Sequence, residues 1–148
     1  MDREEAARSN NTSKYNLYQD YMGNPEKSTG LFTETGDVQT MEEKTKLKDI
    51  FKQAQSKDSL MWQTVISFDN KWLEKNGLYS SKDKVLDEER LKGITRSAIH
   101  KMLEKEGLEN AVWSAAIHYN TDNIHVHVAT VEPEPMREKK KYIQYKNR

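Results

Sequence analysis

Three of the chain's four histidines, His118, His125 and His127, fall in one short segment, and His100 stands apart. Imidazole is the side chain that changes charge near neutral pH and a common ligand of divalent metal ions. Residues 111–119 and 124–132 are rich in β-branched and apolar side chains, and the intervening Asn120-Thr121-Asp122-Asn123 is a polar turn. That pattern predicts an antiparallel hairpin. In the simplest register Tyr119 pairs with Ile124, His118 with His125, Ile117 with Val126 and Ala116 with His127. Side chains alternate across a strand, so the three imidazoles share one face while Ile117, Val126 and Val128 take the other. Directly opposed Cβ atoms lie about 4.5–5.5 Å apart, close enough for His118, His125 and His127 to converge on one cation as metal ligands. Three imidazoles with open positions suit a catalytic ion, since a closed tetrahedral site needs a fourth protein ligand. A lone histidine more commonly packs or faces solvent, and His100 is read that way.

The elements that must position this face are legible in outline. Tyr15, Tyr18 and Tyr21 fall three apart, on one side of a short helix that Gly23-Asn24-Pro25 ends. Residues 30–36 form a short extended candidate bounded by glycines. From Met41 to Gln55, Leu47, Ile50, Phe51 and Ala54 follow the i, i+3, i+4, i+7 spacing of an amphipathic helix. Residues 59–69 are too short and too rich in β-branched and aromatic residues for a helix, and are read as a buried strand. Asp87 caps a second long helix, with Leu91, Ile94, Ala98, Met102 and Leu103 near one face and Gly107 at its end. After Pro135 the chain is a basic run containing Lys139, Lys140 and Lys141, with Tyr142 and Tyr145 interleaved.

Composition narrows the classes. The chain has 148 residues, 24 Lys+Arg against 24 Asp+Glu and a formal net charge of zero, so an anionic partner must be met by a local patch. Hydrophobic residues are 34%, charged residues 32% and the mean hydropathy is −1.02, which predicts a small core built from a few segments. The absence of cysteine excludes disulfides, thiolate metal sites and cysteine nucleophiles. No stretch has the apolar length of a membrane span, and Met1-Asp-Arg-Glu-Glu-Ala has no signal-peptide character. A cytoplasmic protein is expected.

The segment Ser114-Ala-Ala-Ile-His118-Tyr-Asn-Thr-Asp-Asn-Ile-His125-Val-His127-Val-Ala-Thr resembles the metal motif of the MobP-type conjugative relaxases of the HUH endonuclease superfamily. More narrowly, it resembles the MobL-like mobilisation proteins of Gram-positive bacteria. The strand Trp62-Gln-Thr-Val-Ile-Ser67-Phe68 is similar to that family's second motif, and the resemblance runs from about Asp2 to Pro135. It implies an α/β fold of α+β type: an antiparallel HUH-type sheet with helices packed on one face and the histidine face open to DNA. It implies site- and strand-specific nicking and rejoining of single-stranded DNA at an origin of transfer, in a bacterial plasmid or integrative conjugative element. A tyrosine attacks the scissile phosphodiester beside an ion held by the histidines, Mg²⁺ or Mn²⁺ first and Zn²⁺ as an alternative. Accessory relaxosome proteins and a coupling protein are the further partners implied.

Two alternatives stand for the nucleophile. Tyr21, in Tyr21-Met-Gly-Asn-Pro-Glu26, fits the family context, with Tyr18 one turn away. Alternatively, the chain is N-terminally shortened, because residues 2–14 carry no strand pattern and the opening residues resemble those that follow the family's tyrosine. The nucleophile would then lie before Met1, leaving a remnant that binds metal and DNA without cleaving. On either alternative residues 1–135 form the relaxase domain and residues 136–148 the start of a truncated C-terminal region. Asp122 is the acidic candidate for orienting a ligating imidazole or activating the tyrosine; relatives carry an acidic residue two positions after the first motif histidine, where this chain has Asn120. Ser67 could meet a phosphate, Trp72 could stack on a base, and Lys139, Lys140 and Lys141 are the candidate phosphate-backbone contacts. Trp62 and Trp113 are read as core. A histidine-triad nucleotide hydrolase is a competing enzyme class, but the first of its alternating positions is Asn123 here.

Overall fold

The computed structural model describes residues 13–119 and 123–135. Three long strands form the main sheet: β1 (Met61–Phe68), β4 (Val112–His118) and β5 (Ile124–Val131), all antiparallel in the order β1-β5-β4. The expected hairpin register is the one observed, with His118 opposite His125 and Ala116 opposite His127. On the other side of β5, Ser67 lies opposite His125 and Val65 opposite His127. The fold is α+β with an antiparallel sheet, as expected.

Among the described residues four helices pack around the sheet: α1 (Lys14–Met22), α2 (Met41–Ser56), α3 (Asn70–Lys75) and α4 (Glu88–Lys105). The caps named by the sequence form as expected for α4, where Asp87 accepts from the Arg90 N–H at 3.1 Å and the chain leaves at Gly107 with φ +70°. For α2, Thr40 and Glu43 close a reciprocal capping box. A cap stabilises by about 1 kcal/mol, whereas each fully buried large apolar side chain contributes about 1.5–3 kcal/mol. Leu47, Phe51 and Ala54 therefore decide where α2 docks, and the box decides where it starts.

Two apolar clusters lie on opposite faces of the sheet. On one, Trp113, Ala115 and Ile117 of β4 and Val126 and Val128 of β5 pack against Leu73 of α3 and Leu91, Ile99 and Leu103 of α4. On the other, Ala116, Ala129 and Val131 pack against Met22 of α1 and Leu47, Phe51 and Ala54 of α2. The helices are thus distributed more widely than expected: α3 and α4 line one face, α2 and the start of α1 cover the end of the second face away from His125, and the last turn of α1 reaches His118. Small residues at 116 and 129 let those helices approach the sheet, and the histidines keep the remaining area.

Three features escape the sequence pattern. The short helix α3 starts on Asp69, which accepts from the Lys71 N–H, and the two-residue strands β2 (Tyr79–Ser80) and β3 (Val85–Leu86) pair with each other. Residues 30–36 form no strand. Instead Phe32 bridges Ala115 and Ser28 bridges His118, so this segment runs along the outer edge of β4. Gly23 permits the return, because a Cβ there would stand 2.9 Å from Leu31 Cγ.

Candidate functional site

The strand alternation brings His118, His125 and His127 together on the second face. Ring centroids are 4.2 Å apart for His118 and His127 and 6.5 Å apart for His125 and His127. His118 is buried and its Nε2 lies 2.9 Å from the Met22 carbonyl. A carbonyl only accepts, so Nε2 is the donor, and in the neutral ring the lone pair is then on Nδ1. The Nδ1 of His127 is buried and has no hydrogen-bond partner. Burial, and then the neighbouring His118 and His125, push the His127 pKa below its ordinary value. The imidazole is thereby held in the neutral form that has a lone pair to give.

Helix α1 forms a wall beside this face. The Tyr21 ring is 5.9 Å from that of His118 and 6.1 Å from that of His127, edge-on to the latter, and the side chain is about half exposed. Tyr18 follows one turn back, 5.9 Å from Tyr21. Its hydroxyl pKa is raised, first by burial and then by Tyr21. Tyr15 is tied away from the site: its hydroxyl donates to the Ser59 carbonyl and its N–H to Gln55 Oε1. The stripe of three tyrosines thus divides into an anchor, a half-buried neighbour and one exposed phenol over the histidines.

Ser67 is exposed on the histidine face, directly across from His125, and Gln63 and Val65 of the same strand are exposed beside it. The surface facing Tyr21 is consequently an open shelf of β1 and β5. Trp72 stands at the same end of the sheet, 45% exposed, with its ring 6.3 Å from Phe68. Trp113 is buried edge-on to Phe32 and Trp62 packs on the core, as read from the sequence. His100 is exposed, near Glu34 and Glu104. Asp122 and Lys139, Lys140 and Lys141 lie outside the described residues.

Sequence reading missed the residues that seat α1. Asn16 and Gln19 are fully buried and join Ser114 of β4 to the Lys48 carbonyl of α2. As polar residues they carry no hydrophobic-period signal. The only hint was their own spacing with Met22 at i, i+3 and i+6.

An unpartnered buried Nδ1, an imidazole pair at 4.2 Å and an all-nitrogen donor set fit a divalent transition ion in chemistry. Among the described residues, however, no group of three or more His, Cys, Asp or Glu side chains stands in metal-holding geometry.

One family model matches the chain, that of the MobL relaxases, over residues 1–147. No curated protein and no solved structure matches it.

Proposed function

The chain belongs to the MobL relaxases, and from that premise we propose that it nicks and rejoins one DNA strand at an origin of transfer with Tyr21 as nucleophile. The observation that carries this reading is the Tyr21 ring, half exposed and within about 6 Å of two of the three histidines. The Tyr21 oxygen attacks the scissile phosphorus, the bond to the 3′ oxygen breaks, and the products are a 5′-phosphotyrosyl link and a free 3′-hydroxyl. Reversal by a 3′-hydroxyl reseals the strand, because the link conserves the phosphodiester.

His118, through Nδ1, and His125 and His127 would hold the ion, Mg²⁺ or Mn²⁺ by the family resemblance, with Zn²⁺ the alternative that an all-imidazole donor set suits. Such an ion, when bound, polarises a non-bridging phosphate oxygen and offsets the charge that develops on it. The Met22 carbonyl fixes the tautomer of His118, as a carbonyl commonly does for a ligating imidazole. Asp122, in the connection between the histidine strands, is our candidate for orienting an imidazole or taking the tyrosine proton. Ser67, exposed opposite His125 on β1, is our candidate for a phosphate contact, and Trp72, 45% exposed, for stacking on a base. Lys139, Lys140 and Lys141 would add backbone contacts, and relaxosome accessory proteins and a coupling protein would complete the assembly. No helix among the described residues is long and apolar enough to cross a membrane.

One observation favours a second reading, a relaxase chain that binds DNA without cleaving it: the three imidazoles, as placed, do not close on one point. A single assay separates the two. The protein is incubated with Mn²⁺ and a single-stranded oligonucleotide spanning the nick site, then run on a denaturing gel. A covalent adduct that Tyr21→Phe abolishes supports nicking by Tyr21; binding with no adduct from the unmutated chain supports the second reading.

A further inference from the structure

Helix α1 has nine residues, and its buried positions are Asn16, Gln19 and Met22, so one apolar side chain and two carboxamides face the interior. Tyr15 and Tyr18 pack at its margin and Tyr15 anchors its first turn, but these contacts alone would leave the rotation of the last turn, which carries Tyr21, loosely specified. A buried hydrogen-bonded chain specifies it, because each group has a fixed donor and acceptor sense and an unmet buried group is costly. Ser114 Oγ donates to Gln19 Oε1 at 2.8 Å, Gln19 Nε2 donates to Asn16 Oδ1 at 2.9 Å, and Asn16 Nδ2 donates to the Lys48 carbonyl at 3.0 Å. Asn16, Gln19 and Ser114 all have zero exposure. Ser114 lies on the same strand and the same face as His118, so the chain measures α1 directly against the strand that carries a histidine.

We infer that Gln19 is a positioning residue: its bond to Ser114 fixes the rotation of α1 and thereby holds Tyr21 over His118 and His127. A turn of one residue about the helix axis, 100°, would move Tyr21 off the histidines and strand the Ser114 hydroxyl in the interior. The same rotation would withdraw the Met22 carbonyl from His118 Nε2, so one contact sets both the tyrosine and the histidine tautomer. The consequence for nicking rests on the function proposed above; the placement of Tyr21 does not.

The test uses the full metal-free chain. In a nuclear Overhauser spectrum the unmutated protein shows cross-peaks from the Tyr21 ring to the His118 and His127 rings. Gln19→Leu, which fills nearly the same volume, and Ser114→Ala, which removes only the donor, are expected to lose those cross-peaks while keeping the sheet signals. Ser114→Thr, which retains a hydroxyl, is expected to keep them. Displacement of the reacting group by about 1 Å can cost about 100-fold in rate, so adduct formation should fall by 10- to 100-fold in the first two variants. Cross-peaks that persist in Ser114→Ala overturn the inference, and that variant decides the matter if Gln19→Leu does not fold. Cross-peaks lost as expected, with no adduct from the unmutated chain, uphold the positioning role and overturn nicking by Tyr21 instead.

Discussion

Tyr18 and Tyr21 differ by one helical turn and by their surroundings, and that difference ranks them as candidates for the proposed nucleophile. Burial and the neighbouring phenol raise the Tyr18 pKa, so its hydroxyl holds its proton more tightly than an ordinary phenol. Tyr21 is half exposed, where a polymeric substrate can reach it. We expect Tyr18→Phe to leave covalent adduct formation largely intact, and Tyr21→Phe to eliminate it on the same gel. The histidines have a separate test. His125→Ala removes one of the three candidate ligands, and loss of even an outer partner of a metal site costs about 10–100-fold in affinity. Calorimetric titration with Mn²⁺ should show at least that loss, and unchanged affinity would exclude His125 from the site.

At the scale of elements, the site depends on how segments without regular structure are held to the sheet. Residues 28–32 run along β4 beside His118, and the loop beyond them is clamped to α4 through Asp37. Lys92, nearly buried, pairs with Asp37 at 3.0 Å, and Arg96 lies 3.7 Å from the same carboxylate and donates to the Thr33 carbonyl. Both cations also stand over the Phe32 ring, at 5.6 and 5.3 Å. Removing one partner of a buried pair leaves an uncompensated charge. Asp37→Ala should lower stability by about 1–2 kcal/mol, less than a fully buried pair would lose, since the Asp37 side chain is 27% exposed and Glu89 remains 3.5 Å from Lys92. A urea unfolding midpoint measures it, and a loss no larger than that of an exposed pair would show the clamp to be dispensable. This clamp was not legible in the sequence, because Asp37 and Lys92 are far apart in the chain and each resembles an ordinary surface charge. The helix α2 was legible, because Leu47, Phe51 and Ala54 repeat with the helical period and the same residues form its buried seam.

For the whole molecule, zero net charge means that DNA attraction comes from patches rather than from the overall field. The basic run holding Lys139, Lys140 and Lys141 is the densest such patch in the sequence. Each phosphate contact to a single strand contributes about 0.7 to the slope of log affinity against log salt. Replacing all three lysines by alanine should therefore flatten that slope by about 2, read from fluorescence anisotropy across a salt series. An unchanged slope would remove the run from the interface. The sequence by itself determined the hairpin register, and with it the shared face of His118, His125 and His127, because strand alternation and the short polar spacing between the two strands in the sequence are local constraints that no distant contact needed to supply. It also determined the placement of α2 and α4, through hydrophobic period and caps. Only the tertiary structure decided which of three evenly spaced tyrosines faces the histidines. That choice rests on buried hydrogen bonds between Gln19 and Ser114 and between Asn16 and the Lys48 carbonyl, whose partners lie in other elements and whose polar side chains leave no mark in a hydrophobic pattern.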